Sequence, residues 1–267
     1  MLPDINFFLP ELASAEGVAL DHTLNLVHWL VLLLFVGWGS FFAYVLFRFR
    51  AGRHPQADPV GVRSHATTWL EAAVFVAEVV LLVGFSIPLW AQRVDQVPPA
   101  ADSTIVRVVA EQFAWNVHYP GPDGVFGRTD PHKVDPQSNP LGLDVDDTAA
   151  KDDVATLNQL HVPVGKPVVI HLSSKDVIHS FGVPHMRAKQ DAIPGLSIPV
   201  WFTPTRTTAE MRESLGNPEF VYEIACAQLC GLGHSTMRGF LTVHTAEEYA
   251  AWLAEQAPAQ GGDAFWQ

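Results

Sequence analysis

Cysteine is nearly absent, with two in 267 residues. That excludes a multi-disulfide scaffold and leaves at most one intrachain bridge, which would close only a small loop in an oxidising compartment. Basic residues are also few: 16 Lys and Arg stand against 28 Asp and Glu, for a formal net charge of −12. This balance argues against a nucleic-acid surface and suits a basic protein partner. Residues 1–20 are short of basic charge and interrupted by Pro3 and Pro10, so they do not read as a signal peptide. No internal repeat or low-complexity tract stands out, and no catalytic nucleophile or acid–base pair can be named.

Charge disappears altogether between Asp21 and Arg48, where no Asp, Glu, Lys or Arg occurs. The apolar run 24–47 is long enough to cross a bilayer with some tilt, and His28 within it fits a membrane surface. A second run, 70–90, is also long enough and ends on Trp90. Arg48, Arg50, Arg53 and Arg63 lie between the two, which puts that loop in the cytoplasm and both termini outside. The second run carries Glu71 and, seven residues deeper on roughly the same face, Glu78. A carboxylate in a membrane helix usually faces protein or water and often marks a proton path, although Glu71 also fits a plain interfacial carboxylate.

Beyond a Pro-rich linker at 97–100 the pattern changes to β-branched and aromatic strands. Candidates are 105–110, 113–119, 157–162, 167–173, 197–203, 220–225 and 239–244, the mark of a sandwich or barrel. Residues 121–156, with eight aspartates against one arginine and two lysines, read as a solvated acidic insertion. Residues 246–256 suggest a short helix before a frayed end. The expected division is 1–97 for the N-terminal segment and anchor, 98–245 for the β domain, and 246–267 for the C-terminal helix and tail.

Both cysteines fall in 226–237, at the spacing C-x3-C-x3-H-x2-M: Cys226, Cys230, His234 and Met237. Strand patterns on both sides hold this stretch as a loop, and Gly231 and Gly233 let it turn tightly. Two thiols, an imidazole and a thioether are a soft donor set that favours copper over calcium, magnesium or manganese. Zinc accepts Cys2His, but methionine is not among its usual ligands. Met237 as core filler and a Cys226–Cys230 disulfide are the plainer readings. A mononuclear blue-copper site needs only one cysteine and two histidines, so the second thiol is surplus unless two coppers share both thiolates.

The loop resembles the binuclear copper (CuA) loop of cytochrome c oxidase subunit II, C-x-E-x-C-x3-H-x2-M. Two further stretches are similar to the same family: D-V-I-H-S-F-G-V-P at 176–184 and K-Q-D-A-I-P-G at 189–195. The resemblance runs from the first span to about residue 245. It implies two N-terminal transmembrane helices, an α hairpin, plus a C-terminal all-β cupredoxin-like Greek-key sandwich. It also implies a CuA centre of two coppers, bridged by Cys226 and Cys230 and held by His179 and His234. Met237 and the backbone carbonyl of Gln228 would be the weaker axial ligands.

By the same resemblance the chain is an electron-transfer subunit in a bacterial inner membrane, with its copper domain on the periplasmic side. It would take electrons from a cytochrome c-like donor and pass them to haem in subunit I, where oxygen is reduced to water with proton translocation. No C-x2-C-H haem site occurs, so the donor is a separate protein. Glu71 matches a glutamate at the mouth of a proton channel, and Asp176 a position on the donor-docking face.

Two departures stand out. Gln228 replaces the family's glutamate, whose side chain reaches a magnesium ion shared with subunit I; a neutral amide is the poorer magnesium ligand. Gln112-Phe113-Ala114-Trp115 replaces Q-W-x-W, so Phe113 stands where the family's electron-accepting tryptophan does, ahead of Trp115. Rival readings are a CuA subunit of a nitric oxide reductase, a copper delivery or storage protein, and a structural disulfide-bearing subunit as in quinol oxidases.

Overall fold

The computed structural model describes residues 3–5, 8–56, 59–61 and 64–260. Arg63 and the tail 261–267 lie outside the described residues. The chain divides into two compact units: Ala19–Asp95 makes up most of one, and Pro10–Val18 joins everything from Gln96 onward in the other.

The first unit contains helix α1 (Gly17–Arg48), helix α2 (Ala66–Leu81) and helix α3 (Ile87–Asp95). One π-helical turn, Leu82–Ser86, makes α2 and α3 a continuous 30-residue span. Its place has a physical cause. Pro88 lacks the N–H that a regular helix would direct at Gly84, and its ring would press on that carbonyl. The helix widens instead, and the Ile87 N–H reaches back to the Leu82 carbonyl. Both helices are apolar and long enough to cross a membrane, with mean hydropathy 2.3, and they enclose the spans expected at 24–47 and 70–90.

The second unit is a sandwich of two five-stranded sheets. One holds β1 (Thr104–Glu111), β2 (Ala114–Tyr119), β3 (Val154–Leu157), β5 (Val168–Ser174) and β8 (Ile198–Phe202), in the order β3-β2-β1-β5-β8. The other holds β4 (Gln159–Pro163), β6 (His179–Val183), β7 (Ala188–Ala192), β9 (Tyr222–Cys226) and β10 (Arg238–His244), in the order β4-β10-β9-β6-β7. The β1–β5 and β4–β10 pairs are parallel. Burial alternates along β1, as one face of a sheet packing on another requires. Trp115, Tyr119, Phe181, Phe202 and Tyr222 fill the space between the sheets and are fully buried. Each contributes roughly 1.5–3 kcal/mol through removal from water.

The run 157–162, expected as one strand, is two strands in different sheets. Asn158 breaks it with a left-handed φ of 59°. Its side-chain oxygen accepts the Trp115 N–H and its carbonyl accepts the Phe240 N–H, at 2.8 Å each, so the turn ties one sheet to the other. Helix α4 (Thr208–Leu215) has a full capping box between Thr207 and Glu210, a T-x-x-E signal visible in the sequence. Helix α5 (Ala246–Gln260) follows β10.

Two segments pack more closely than their composition suggests. In 121–156 the aspartates other than Asp153 are at least partly exposed, but Leu141, Leu143, Ala150 and Ala155 form a small core of their own against Val109. Buried His118 and Asp153 pair at 2.6 Å beneath it, and the same Asp153 oxygen accepts the Gly127 N–H. The strap Pro10–Val18 belongs to the sandwich: the Ala13 N–H donates to the His185 carbonyl, Ser14 to the Met186 carbonyl, and Thr203 to Glu16.

Candidate metal centre

Cys226 is the last residue of β9, and β9 pairs with β6 so that Phe181 lies opposite Cys226. That register brings His179, two residues before Phe181, beside the end of β9. The loop beyond Cys226 is closed at its base. The Cys226 N–H donates to the Met237 carbonyl at 3.3 Å, and the Ala227 N–H to the Ser180 carbonyl at 2.8 Å. A short 3-10 turn, His234–Thr236, returns the chain to β10.

The donor atoms converge. The Cys226 and Cys230 sulfurs are 3.7 Å apart, as free thiols. His179 Nδ1 is 3.9 Å from Cys226 Sγ and 3.2 Å from Met237 Sδ. Cys230 Sγ lies 3.7 Å from both His234 Nδ1 and Met237 Sδ. On the other side Cys226 Sγ meets the Gln228 carbonyl at 3.2 Å. All six residues expected from the sequence therefore direct a donor atom at one another, from a strand and a loop that are remote in sequence. His179 is fully buried, and Cys226, Cys230 and Met237 are buried as well.

Orientation of the imidazole is explicit. His179 Nε2 is 2.9 Å from Asp176 Oδ1, so its proton belongs there and the Nδ1 lone pair faces the sulfurs. Burial alone would raise the Asp176 carboxyl. Hydrogen bonds from His179, the Gln112 N–H and the Val177 N–H outweigh it and hold that carboxyl below its usual range. Burial, then the neighbouring Cys226 thiol, pushes the Cys230 thiol up to about 11. A metal binding there has to displace a proton.

These residues fit a pair of copper ions. Two thiols that can each serve two metals, two imidazoles presenting Nδ1, a thioether and a carbonyl form a soft donor set. A calcium or magnesium site would need oxygen ligands, and only one is present.

The remaining expected positions divide. Phe113 is partly exposed, with its ring against Gly231 and Gly233. A Cβ on Gly233 would fall 2.4 Å from that ring, so this glycine is required for close approach rather than for the turn. Trp115, by contrast, is fully buried, edge-on to His179 with 6.2 Å between ring centroids, and also edge-on to Phe181. Exposed Leu229, Leu232, Val177 and Ile178 sit on the donor-bearing segments themselves. Glu71 lies in the helical unit, exposed on α2. The position whose role sequence reasoning missed is Gln112: its side chain donates to the Cys230 carbonyl, and only its place directly before Phe113 hinted at this.

Residues 104–243 match the family model "Cytochrome C oxidase subunit II, periplasmic domain". The chain is 35% identical over 245 residues to an alternative cytochrome c oxidase subunit 2 of Bradyrhizobium diazoefficiens, covering 91% of this chain and 82% of that one. It is 31% identical over 255 residues to the cytochrome c oxidase subunit 2 of Cereibacter sphaeroides, covering 88% and 77%. The solved periplasmic domain of subunit II of cytochrome oxidase from Bradyrhizobium japonicum is 26% identical, over 62% of this chain and 99% of that one, with a TM-score of 0.42.

Proposed function

The chain belongs to the cytochrome c oxidase subunit II family, and from that premise we propose that it is the electron-accepting CuA subunit of a membrane-bound oxidase. Membership makes it a membrane-anchored subunit of a haem–copper oxidase with a cupredoxin-like domain. The observation that carries the finer reading is the convergence of the Cys226 and Cys230 thiols with His179 Nδ1 and Met237 Sδ.

In this reading Cys226, Cys230, His179, His234, Met237 and the Gln228 carbonyl would hold two coppers. The pair would supply a one-electron acceptor. The protein's part is to keep that geometry unchanged between oxidation states. The closed loop base, Asp176 behind His179 and the packed Trp115 and Phe181 all resist rearrangement. Buried walls exclude water, which raises the strength of every local electrostatic interaction. Phe113 on the loop surface, backed by Trp115, is the point of electron arrival from a cytochrome c-like donor, and Asp176 and the outward aspartates of 121–156 attract a basic one. Electrons leave toward haem in subunit I, where oxygen is reduced and protons are moved, and Glu71 serves a proton path. At Gln228 an amide replaces the carboxylate that magnesium would need.

The charge pattern supports an orientation with the sandwich on the periplasmic side: Arg48, Arg50 and Arg53, between the two spans, would lie on the cytoplasmic side by the positive-inside rule.

The test is copper stoichiometry and electron spin resonance on the purified full-length chain, since a fragment beginning at 98 would lack the strap. Two coppers with a mixed-valence signal are expected, and His179→Ala should abolish that signal. One copper per chain would point to delivery instead, and none to a structural subunit.

A further inference from the structure

We propose that Gln112 is a positioning residue that locks the two donor-bearing segments of the metal centre to each other. The inference rests on the copper reading above but adds a residue that is not itself a ligand. Gln112 lies between β1 and β2, in a part of the sandwich that supplies no donor atom. Its side-chain Nε2 donates to the Cys230 carbonyl at 2.6 Å. Its backbone N–H donates to Asp176 Oδ2 at 2.7 Å, and the other oxygen of that carboxylate accepts from His179 Nε2 at 2.9 Å. One residue is thus bonded directly to the loop carrying Cys230 and, through Asp176, to the strand carrying His179.

The loop is built to admit this amide. Gly231 has φ 138°, and a Cβ there would lie 2.7 Å from Gln112 Nε2 and 3.1 Å from Phe113 Cζ. Glycine at 231 therefore answers to the incoming side chain as well as to its own backbone. The carbonyl that Gln112 holds belongs to the same residue as the bridging sulfur. Holding that carbonyl restrains the backbone from which Cys230 Sγ reaches Cys226, His234 and Met237. The hydrogen bond spans 118 residues of sequence, so it fixes the loop against the body of the sandwich rather than against itself.

Gln112→Met keeps length and neutrality but has no donor, and Gln112→Ala removes the side chain while leaving the backbone bond to Asp176. Both are made in the full-length chain. The copper-free protein gives the first readout: the hydrogen-bonded loop amides of His234, Thr236 and Met237 should exchange roughly tenfold faster in both variants, an opening the lost hydrogen bond had restrained. With copper, both variants should still take up two ions, because every ligand remains. Release to a chelator should rise about tenfold or more, as for other residues that orient metal ligands. The reduction potential and the hyperfine pattern of the mixed-valence signal should shift in both.

Unchanged exchange in Gln112→Met overturns the clamp whatever the copper content. Unchanged potential, hyperfine pattern and release in a variant that binds two coppers overturns its role in positioning. A wild-type chain that takes up no copper pair, yet shows the faster loop exchange in both variants, fails the copper reading while leaving the clamp in place. That result confines the inference to the loop.

Discussion

Trp115, Tyr119, Phe181 and Tyr222 of the sandwich are fully buried, whereas Phe35, Trp69 and Phe75 of the helical hairpin expose 75%, 76% and 65% of their surface. No residue of α2 is buried. The sandwich completes its own core from residues of this chain. The hairpin leaves its apolar surface to a bilayer and to whatever other subunits pack there. Chemistry placed on the sandwich is therefore set by this sequence alone. Chemistry placed on the hairpin depends on what surrounds it.

The largest expected effect tests the self-contained half of this contrast. Cys230→Ser removes a sulfur that faces Cys226, His234 and Met237 at once. The mixed-valence signal should vanish and the copper count should fall below two per chain, read by metal analysis and spin resonance. The fold should survive, because the cysteine is not needed to close the loop base. Retention of a normal signal would mean that the donor set is not the one described.

Next in size is the buried pair under the acidic insertion. Asp153→Ala strands His118 and the Gly127 N–H, both of which bond to the same carboxylate oxygen. Removing one partner of such a pair typically costs about 3–5 kcal/mol. Denaturant unfolding of the full chain should show a loss of that order. A loss below about 1 kcal/mol would make 121–156 a loosely attached insertion after all.

The contrast also accounts for what could be read in advance. Both spans were plain from hydropathy, and the convergence of Cys226, Cys230, His234 and Met237 from their spacing, while His179 came in only through the family resemblance. What stayed hidden depended on packing between distant segments. Nothing at 157–162 announces that Asn158 divides it between two sheets, because a left-handed residue is one conformation among several that asparagine adopts. The apolar residues of 121–156 are too few to outweigh eight aspartates in a composition count, though Leu141 and Leu143 are enough for a small core. The strap Pro10–Val18 joins the sandwich across a hairpin, and Gln112 meets a carbonyl 118 residues away. Neither leaves a periodicity. On the hairpin, Glu71 and Glu78 were visible but their use was not, since both are exposed on α2 and an exposed carboxylate there fits more than one role.

A pH dependence sits between these cases. His161 Nδ1 and His244 Nε2 are 2.8 Å apart, and Trp252 of α5 stacks on His161 with 4.2 Å between ring centroids. Burial, then the nearby His244, pushes His161 down to about 4 from its ordinary 6.5. The unfolded chain thus takes up a proton that the folded one refuses. Stability from this site is complete above about pH 6.5 and is lost as pH falls toward 4, for at most about 3 kcal/mol. His161→Phe keeps a ring against Trp252 and should flatten that slope in denaturant midpoints measured across pH 4–7. An unchanged slope would assign the acid sensitivity to other groups.

The smallest effect expected on the sandwich comes from the hairpin. Trp69 and Trp90 bracket the second span, which leaves Glu71 near one membrane surface and Glu78 close to mid-depth. Glu71→Gln and Glu78→Gln change no contact inside the sandwich, so its unfolding free energy should stay within about 0.5 kcal/mol and its copper spectrum should not move. Turnover of the assembled oxidase is a different matter. A carboxyl that relays protons should lower steady-state oxygen consumption when made an amide, while the rate of copper reduction by the donor stays the same. If both rates fall together, the glutamates act through assembly rather than through protons. If neither falls, the exposed carboxyls of α2 are interfacial groups, and the hairpin is an anchor only.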